Sequence, residues 1–154
     1  MLHQTIKPNK IILWLDQTAY NTYESIPIAL HRQEARGLEI RLCEDIKSYT
    51  KLVPALINFP NAVIISVDDD IIYPIDFVER LYRAYKKDSS KIYFYRGHYI
   101  LFNEDGSPRP YLEWVVRGAK GCDIYNFPTG VSGIIYPPHC YHAVSYTHLT
   151  LPTT

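Results

Sequence analysis

The sequence predicts an α/β protein with a doubly wound, mostly parallel β-sheet that carries helices on both faces. Apolar runs of strand length alternate along the chain with segments whose apolar residues recur at helical spacing. One run, AVIISV at residues 62–67, is apolar or small on both faces, which is typical of a central parallel strand. The resulting order, β-α-β-α-β-α-β, is that of parallel strands joined by crossover helices.

The first elements follow from apolar runs and their boundaries. KIILWLD at residues 10–16 and LEIRLC at residues 38–43 predict the first two strands, with a helix between them. A second helix is predicted by apolar residues at i, i+3, i+4, i+7 and i+8. Because a proline is tolerated only in the first turn, Pro54 requires this helix to begin near Thr50 or Lys51.

The later elements are of two kinds. A third helix is predicted to begin at Pro74, and KIYFYR at residues 91–96 predicts a fourth strand. From Gly97 onward the runs HYILF and GIIYPP are shorter, and NEDGSP after the first of them reads as a turn. Short, antiparallel strands are therefore expected in this part of the chain.

Composition restricts the function classes. The chain has 154 residues, and 16 Lys and Arg balance 16 Asp and Glu, so no net field attracts nucleic acid. There is no apolar run of the roughly 18 residues that a membrane span requires. Three irregularly spaced cysteines, Cys43, Cys122 and Cys140, suggest free thiols in a reducing compartment. A cytoplasmic domain without nucleic-acid partners is expected.

The acidic segment Asp68, Asp69 and Asp70 directly follows the predicted third strand. Ligands of open α/β sheets bind beyond the carboxyl ends of the strands. Carboxylate oxygens suit Mg²⁺ or Mn²⁺, and a divalent cation relieves the repulsion among three adjacent carboxylates. The alternative is a solvated acidic turn at the start of the next helix. Spacing alone leaves both interpretations open.

A family resemblance bears on this choice. The segments KIILWLD, GLEIRLCEDIKSYTKLVPAL, VIISVDDDIIYP, YRGHYI, PYLEW and TGVSGIIYPP occur in one order between residues 4 and 138. Together they resemble bacterial glycosyltransferases of the GT-A fold that assemble lipopolysaccharide or capsule glycans. The resemblance implies a Rossmann-like sheet and a metal-dependent transfer of sugar from a nucleotide-diphosphate donor to a surface-glycan or lipid-linked glycan acceptor.

In that family a DxD motif holds the Mn²⁺ or Mg²⁺ ion that bridges the donor diphosphate. The resemblance implies that Asp70 and Asp68 are metal ligands, and that Asp68 and Asp69 lie against the donor. It also implies a cytoplasmic enzyme, with peripheral attachment to the inner face of the membrane as a further expectation.

Two other residues are candidates for donor binding. Lys51 stands at the predicted start of the second helix, where unpaired N–H groups favour anions, so it is a candidate for the donor diphosphate. An ordinary solvated lysine is the alternative. Asp16 ends the first strand and could meet the nucleotide, although capping of a nearby helix is the competing interpretation.

Candidates for acceptor or sugar binding follow the fourth strand and lie in TGVSG. Arg96 and His98 are expected on the ligand edge, with a plain surface pair as the alternative. Thr129, Gly130 and Gly133 belong to TGVSG, where glycines let the backbone approach a ligand closely. A tight turn is the other interpretation, and the resemblance favours a sugar contact.

The resemblance also divides the chain. Residues 1–143 are expected to form the nucleotide-sugar-binding domain, incomplete at its C-terminus. Residues 144–154, which end in SYTHLTLPTT, match nothing in the family and are expected to be a non-native tail. The family continues into a second acidic motif where its catalytic base is expected. No catalytic residue is therefore assigned, and the chain by itself is expected not to transfer sugar.

Two other functions remain open. One is a non-catalytic module that binds a nucleotide-sugar or a cation. The other, less favoured, is a phosphatase of the haloacid dehalogenase type, which carries DxD on its first strand with Thr or Val two residues on. Here the acidic segment follows the third predicted strand and continues with IIYP.

Overall fold

The computed structural model describes residues 1–116 and 121–141. Within these ranges the strands are β1 (Ile11–Asp16), β2 (Leu38–Cys43), β3 (Ile64–Ser66), β4 (Tyr93–Phe94), β5 (Gly97–Tyr99), β6 (Val115–Val116), β7 (Asn126–Pro128) and β8 (Ile134–Tyr136). The helices are α1 (Ile28–Glu34), α2 (Val53–Asn58) and α3 (Phe77–Lys87). The tail predicted at residues 144–154 lies outside the described residues.

The predicted doubly wound, mostly parallel sheet is wrong. The described strands form three small sheets with the orders β1-β2, β3-β8-β4 and β6-β5-β7. Only β1 and β2 pair in parallel, in a register that runs from Ile11 opposite Leu38 to Asp16 opposite Cys43. Every other pairing among these strands is antiparallel.

The physical reason lies in β8. Its residues Ile134, Ile135 and Tyr136 are all buried, and they pair with both β3 and β4. An apolar strand buried on both faces suits the centre of a sheet of either direction. The run at residues 62–67 was expected to form a central strand, but β8 takes that place. β3 lies at the edge of this three-stranded sheet, with Ser66 buried and Ile64 and Ile65 partly exposed, and it runs antiparallel to β8.

Other local expectations are confirmed. β1 and β2 form where the apolar patterns place them, and short antiparallel strands form from Gly97 onward. The third helix also forms, but α3 begins at Phe77 and not at the predicted Pro74. α2 begins at Val53, later than predicted, because residues 47–49 form a separate 3₁₀ turn. Lys51 therefore precedes α2 and does not occupy its first turn.

The core lies between α3 and β8. Phe77, Val78 and Leu81 of α3 pack with Ile135, which is fully buried. Partly buried side chains pack against this cluster, and they are Met1, Val63, Ile65, Val67, Tyr73, Tyr85 and Tyr93. Val67 and Tyr73 flank the acidic segment in the chain, so the backbone on either side of it is anchored to the core.

The N-terminal segment is fixed to the start of α3 by Gln4. This side chain is only 6% exposed. Its amide nitrogen donates to the Pro74 carbonyl at 2.8 Å, and its amide oxygen accepts from the Val78 N–H at 2.9 Å. The first N–H groups of a helix have no partner within the helix, so Gln4 supplies one from outside.

Candidate functional site

A cavity of about 270 Å³ lies between β1 and β3. Residues 12–14 line one side, residues 65–69 line the other, and Lys47, Ser48, Thr50 and Lys51 also contribute to the lining. The residues after β3 bring two acidic side chains, Asp68 and Asp69, to this cavity. Carboxylates, an ammonium group and hydroxyls thus share one concave surface with apolar side chains, a mixture typical of ligand sites.

Lys51 and Asp68 form an ion pair in this lining. The Lys51 Nζ donates to the Asp68 Oδ1. The side chains are 38% and 23% exposed, respectively, so both remain within reach of solvent. The structure thus brings together Lys51 and Asp68, which were predicted as donor-binding residues from separate segments of the sequence.

Tyr73 ties the acidic segment to the TGVSG segment. Its hydroxyl accepts a hydrogen bond from the Asp68 N–H at 3.0 Å and donates one to the Val131 carbonyl at 3.0 Å. Burial raises the pKa of Tyr73, the Asp68 N–H opposes that shift, and the carboxylates of Asp68 and Asp70 add to it. The hydroxyl therefore keeps its proton at neutral pH and can donate to Val131.

The two glycines of TGVSG have different surroundings. A Cβ atom on Gly130 would lie 2.5 Å from the Lys51 Nζ and 4.0 Å from the Asp68 Oδ1. Gly133 has φ of +84° and lies against the ring of Phe77, which a Cβ would overlap. Gly130 is therefore part of the site, whereas Gly133 is required by core packing and by its backbone conformation.

Thr129 is hydrogen-bonded to the backbone carbonyl of Arg96. The Thr129 N–H and hydroxyl both donate to the Arg96 carbonyl, at 2.9 Å and 3.1 Å. The Arg96 residue is itself exposed. This pair fixes the path of the chain just before Gly130, and neither residue is among those that line the cavity.

His98 is not on an open ligand edge, because it is only 5% exposed. Its Nε2 lies 3.1 Å from the Tyr111 hydroxyl, and its ring packs on that of Tyr111. Within the described residues its Nδ1 has no hydrogen-bond partner. Tyr111 also contacts the rings of Trp114 and Phe127, so His98 lies under an aromatic cluster.

Asp16 and Asp70 lie outside the cavity lining. The Asp16 carboxylate accepts from the Thr18 N–H at 2.8 Å and from the Thr18 hydroxyl. These bonds close a turn of the Asx type directly after β1. The next helical element is the 3₁₀ turn at Tyr23–Ser25, so the helix-capping role considered for Asp16 is wrong. Asp70 is exposed and follows Asp69 in a turn.

The carboxylates suit a metal ion only in a shared site. In residues 1–116 and 121–141, no three His, Cys, Asp or Glu side chains gather closely enough to hold a metal. Mg²⁺, however, is commonly bound by one or two carboxylates together with substrate phosphates and water. Asp68 and Asp70 supply such hard oxygen donors. By themselves they do not form a complete metal cage, because Asp68 is paired with Lys51 and Asp70 lies outside the cavity lining. An ion held there would need further ligands, such as phosphate oxygens.

Sequence reasoning missed Tyr73 and Gln4. Each bridges segments about 60 to 70 positions apart, since Tyr73 and Val131 are separated by 58 residues and Gln4 and Val78 by 74. The available signal was weak: a tyrosine within the apolar stretch after the aspartates, and a lone glutamine near the N-terminus. Neither pattern specifies a distant partner.

Comparison of the chain with protein-family models, curated proteins and solved structures gives no match. No helix within the described ranges has the length and apolar character needed to cross a bilayer. The chemistry of the cavity between β1 and β3 is thus the basis for assigning a function.

Proposed function

We propose that this chain carries the donor-binding site of a metal-dependent glycosyltransferase. The donor is a nucleotide-diphosphate sugar, the metal is Mn²⁺ or Mg²⁺, and the acceptor is a bacterial surface glycan or a lipid-linked glycan in the cytoplasm. One observation carries the proposal: Asp68, Asp69 and Lys51 line the same cavity. These are three of the four residues that the sequence nominated for the donor.

The Lys51 ammonium group supplies the positive charge that a diphosphate needs. Its partner in the structure is Asp68. A diphosphate is a stronger acceptor with more charge, so Lys51 turns from Asp68 to a phosphate oxygen when the donor binds. This exchange releases Asp68 from its ion pair. Asp68 and Asp70 would then hold the metal, which neutralises charge on the diphosphate leaving group.

The opposite side of the cavity suits a nucleoside. Residues 12–14 are apolar or aromatic, and Ser48 and Thr50 contribute hydroxyl groups. The volume of about 270 Å³ lies just below the range of small-molecule sites, about 300–1,000 Å³. It accommodates part of a nucleotide-sugar, with the sugar extending toward Gly130 and Thr129.

Arg96 and His98 remain candidates for acceptor binding, and they differ in their exposure to solvent. Arg96 is exposed and adjoins Thr129 through its carbonyl. His98 is buried beneath Tyr111, so it acts on an acceptor only if that aromatic cluster opens. We assign no catalytic base.

The proposal is tested by thermal-shift titration with nucleoside diphosphates and their sugars, each with and without Mn²⁺. A ligand at 100 times its dissociation constant stabilises the folded state by about 2.7 kcal/mol. Stabilisation that requires both the nucleotide and Mn²⁺ is the expected result. No stabilisation by any nucleotide would contradict it.

The same samples distinguish the alternatives. Release of nucleoside diphosphate that depends on an acceptor glycan identifies a transferase. Metal-dependent binding without any release favours a non-catalytic nucleotide-sugar module. Release of phosphate from a phosphomonoester without nucleotide binding favours a phosphatase.

A further inference from the structure

We propose that the Tyr73 hydroxyl is a positioning group, which holds the acidic segment and the TGVSG segment in the relative arrangement that donor binding needs. The inference rests on the proposed function, because it concerns how the same cavity is organised. It assigns a role to a residue that the acidic motif and the glycine motif do not include.

The hydroxyl makes two hydrogen bonds that join the two segments. It accepts from the Asp68 N–H and donates to the Val131 carbonyl, both at 3.0 Å. The amide, the hydroxyl and the carbonyl therefore form a short chain in which each bond polarises the next. Asp68 is the residue paired with Lys51, and Val131 is the neighbour of Gly130, which abuts Lys51.

The ring of Tyr73 has a separate role from its hydroxyl. It packs on the ring of Phe77 with centroids 4.4 Å apart, and Phe77 belongs to the buried core. Phenylalanine at position 73 keeps this packing and removes both hydrogen bonds. The substitution Tyr73→Phe therefore separates positioning from core stability.

The expected consequence for the site is a loss of preorganisation. Without the hydroxyl, the Asp68 backbone and the Val131 carbonyl no longer share an anchor. Ordering them when the donor binds then costs conformational entropy. Two hydrogen bonds of ordinary strength correspond to a weakening of nucleotide binding of about tenfold or more.

Tyr93→Phe is a matched control. Tyr93 is also half-buried, also packs against the α3 core, and donates one hydrogen bond to the Asp88 carbonyl at 3.2 Å. That bond lies at the far end of α3 from the acidic segment. The control removes the same atom from a similar environment without touching Asp68 or Val131.

The experiment compares the wild type, Tyr73→Phe and Tyr93→Phe by two measurements. The first is the affinity for a nucleoside diphosphate in the presence of Mn²⁺. The second is the hydrogen-exchange rate of the Asp68 amide, followed by NMR without ligand. In Tyr73→Phe we expect weaker binding and faster Asp68 exchange. In Tyr93→Phe we expect neither.

Unchanged Asp68 exchange in Tyr73→Phe would overturn the inference, as would equal losses of affinity in both variants, which would indicate a general effect on stability. If the wild type binds no nucleoside diphosphate, the proposed function fails. The exchange rate of Asp68 still decides whether Tyr73 fixes the acidic segment in that case.

Discussion

Lys51 and Asp68, 17 positions apart in the chain, form an ion pair in the lining of the cavity between β1 and β3. The pair gives the cavity an internal counter-ion. A ligand that brings its own negative charge must compete with Asp68 for Lys51, and a ligand that brings a metal ion compensates Asp68 at the same time. Anion and metal binding are therefore expected to depend on each other.

Lys51→Ala is expected to weaken nucleoside-diphosphate binding by about tenfold to a hundredfold, because hydrogen bonds to charged groups contribute about 1.5–3 kcal/mol. The loss should be larger at low salt, where screening is weaker. Titration at two ionic strengths measures it. Lys10→Ala is the control, since Lys10 pairs with Glu39 away from the cavity lining. An equal loss at both salt concentrations would mean that Lys51 acts through structure.

Asp70→Asn is expected to remove the dependence of nucleotide affinity on Mn²⁺ while leaving the melting temperature unchanged. Coupling between two ligands is typically about 1–3 kcal/mol, so Mn²⁺ should raise the wild-type affinity by about 5- to 150-fold. Calorimetric titration with and without Mn²⁺ measures this ratio. Asp105→Asn, in the turn before Ser107, is the control. If Mn²⁺ raises the nucleotide affinity of the Asp70 variant by as large a factor as it does for the wild type, the assignment of Asp70 as a metal ligand is contradicted.

Alanine at Gly133 is expected to lower stability, whereas alanine at Gly130 is expected to change nucleotide affinity. In Gly133→Ala, alanine must adopt a left-handed φ, and its Cβ overlaps the Phe77 ring. Each of these effects should lower stability by about 1–3 kcal/mol, so the total loss should be several kcal/mol. Gly130→Ala meets only the flexible end of Lys51. It should change nucleotide affinity with little loss of stability. Urea denaturation and ligand titration of both variants measure the contrast, and similar stability losses would refute it.

Gln4→Ala is expected to destabilise the protein by about 1–3 kcal/mol, because the Val78 N–H and the Pro74 carbonyl lose their buried partner. Gln17→Ala serves as the control, since Gln17 is exposed. Urea midpoints of both variants measure the effect. A Gln4 variant as stable as the control would show that these groups find other partners.

Alkaline pH is expected to destabilise the protein through Tyr136. Burial raises the pKa of this residue from 10.0 to about 12, and a hydrogen bond with Ser66 opposes the shift. The unfolded chain therefore releases this proton at lower pH than the folded chain does. The stabilising contribution is complete below about pH 10 and is lost as the pH rises toward 12.

Tyr136→Phe should consequently lose less stability between pH 10 and 12 than the wild type does. Urea midpoints across that range measure how the stability of each protein changes with pH. Between neutral pH and about pH 9 the stabilities of the two proteins should change with pH in the same way, and this range supplies the baseline. Indistinguishable alkaline slopes would mean that Tyr136 does not carry the effect.

The elements that could be predicted from sequence are those fixed by local pattern. β1, β2 and α3 depend on periodicity within one segment, and the turn at residues 103–107 depends on its own Asp105 and Gly106. The direction of pairing at β3 could not be predicted. Its apolar run predicted a central strand, whereas β3 lies at the edge of its sheet and is only partly buried. An apolar run alone does not specify the direction of the partner strand.

The sequence predicted several residues of the candidate site, but it did not predict the contacts that those residues make with distant segments. Asp68, Asp69 and Lys51 do share a cavity, as their motifs suggested. The burial of His98 under Tyr111 depends on a segment that comes after it in the chain. The bridge from Asp68 through Tyr73 to Val131 likewise depends on a distant partner, and no local pattern encodes such contacts.

The pairing of β3 with β8 has a consequence for the order in which the chain folds. β1, α1 and β2 follow one another in the chain and can assemble early, since the connection from β1 to β2 is far shorter than the one from β3 to β8. β3 pairs with residues 134–136, and closing so long a loop is slow. During synthesis the acidic segment therefore stays without its final support until β8 has left the ribosome. Nucleotide binding should arise abruptly at that chain length in a series of stalled nascent chains.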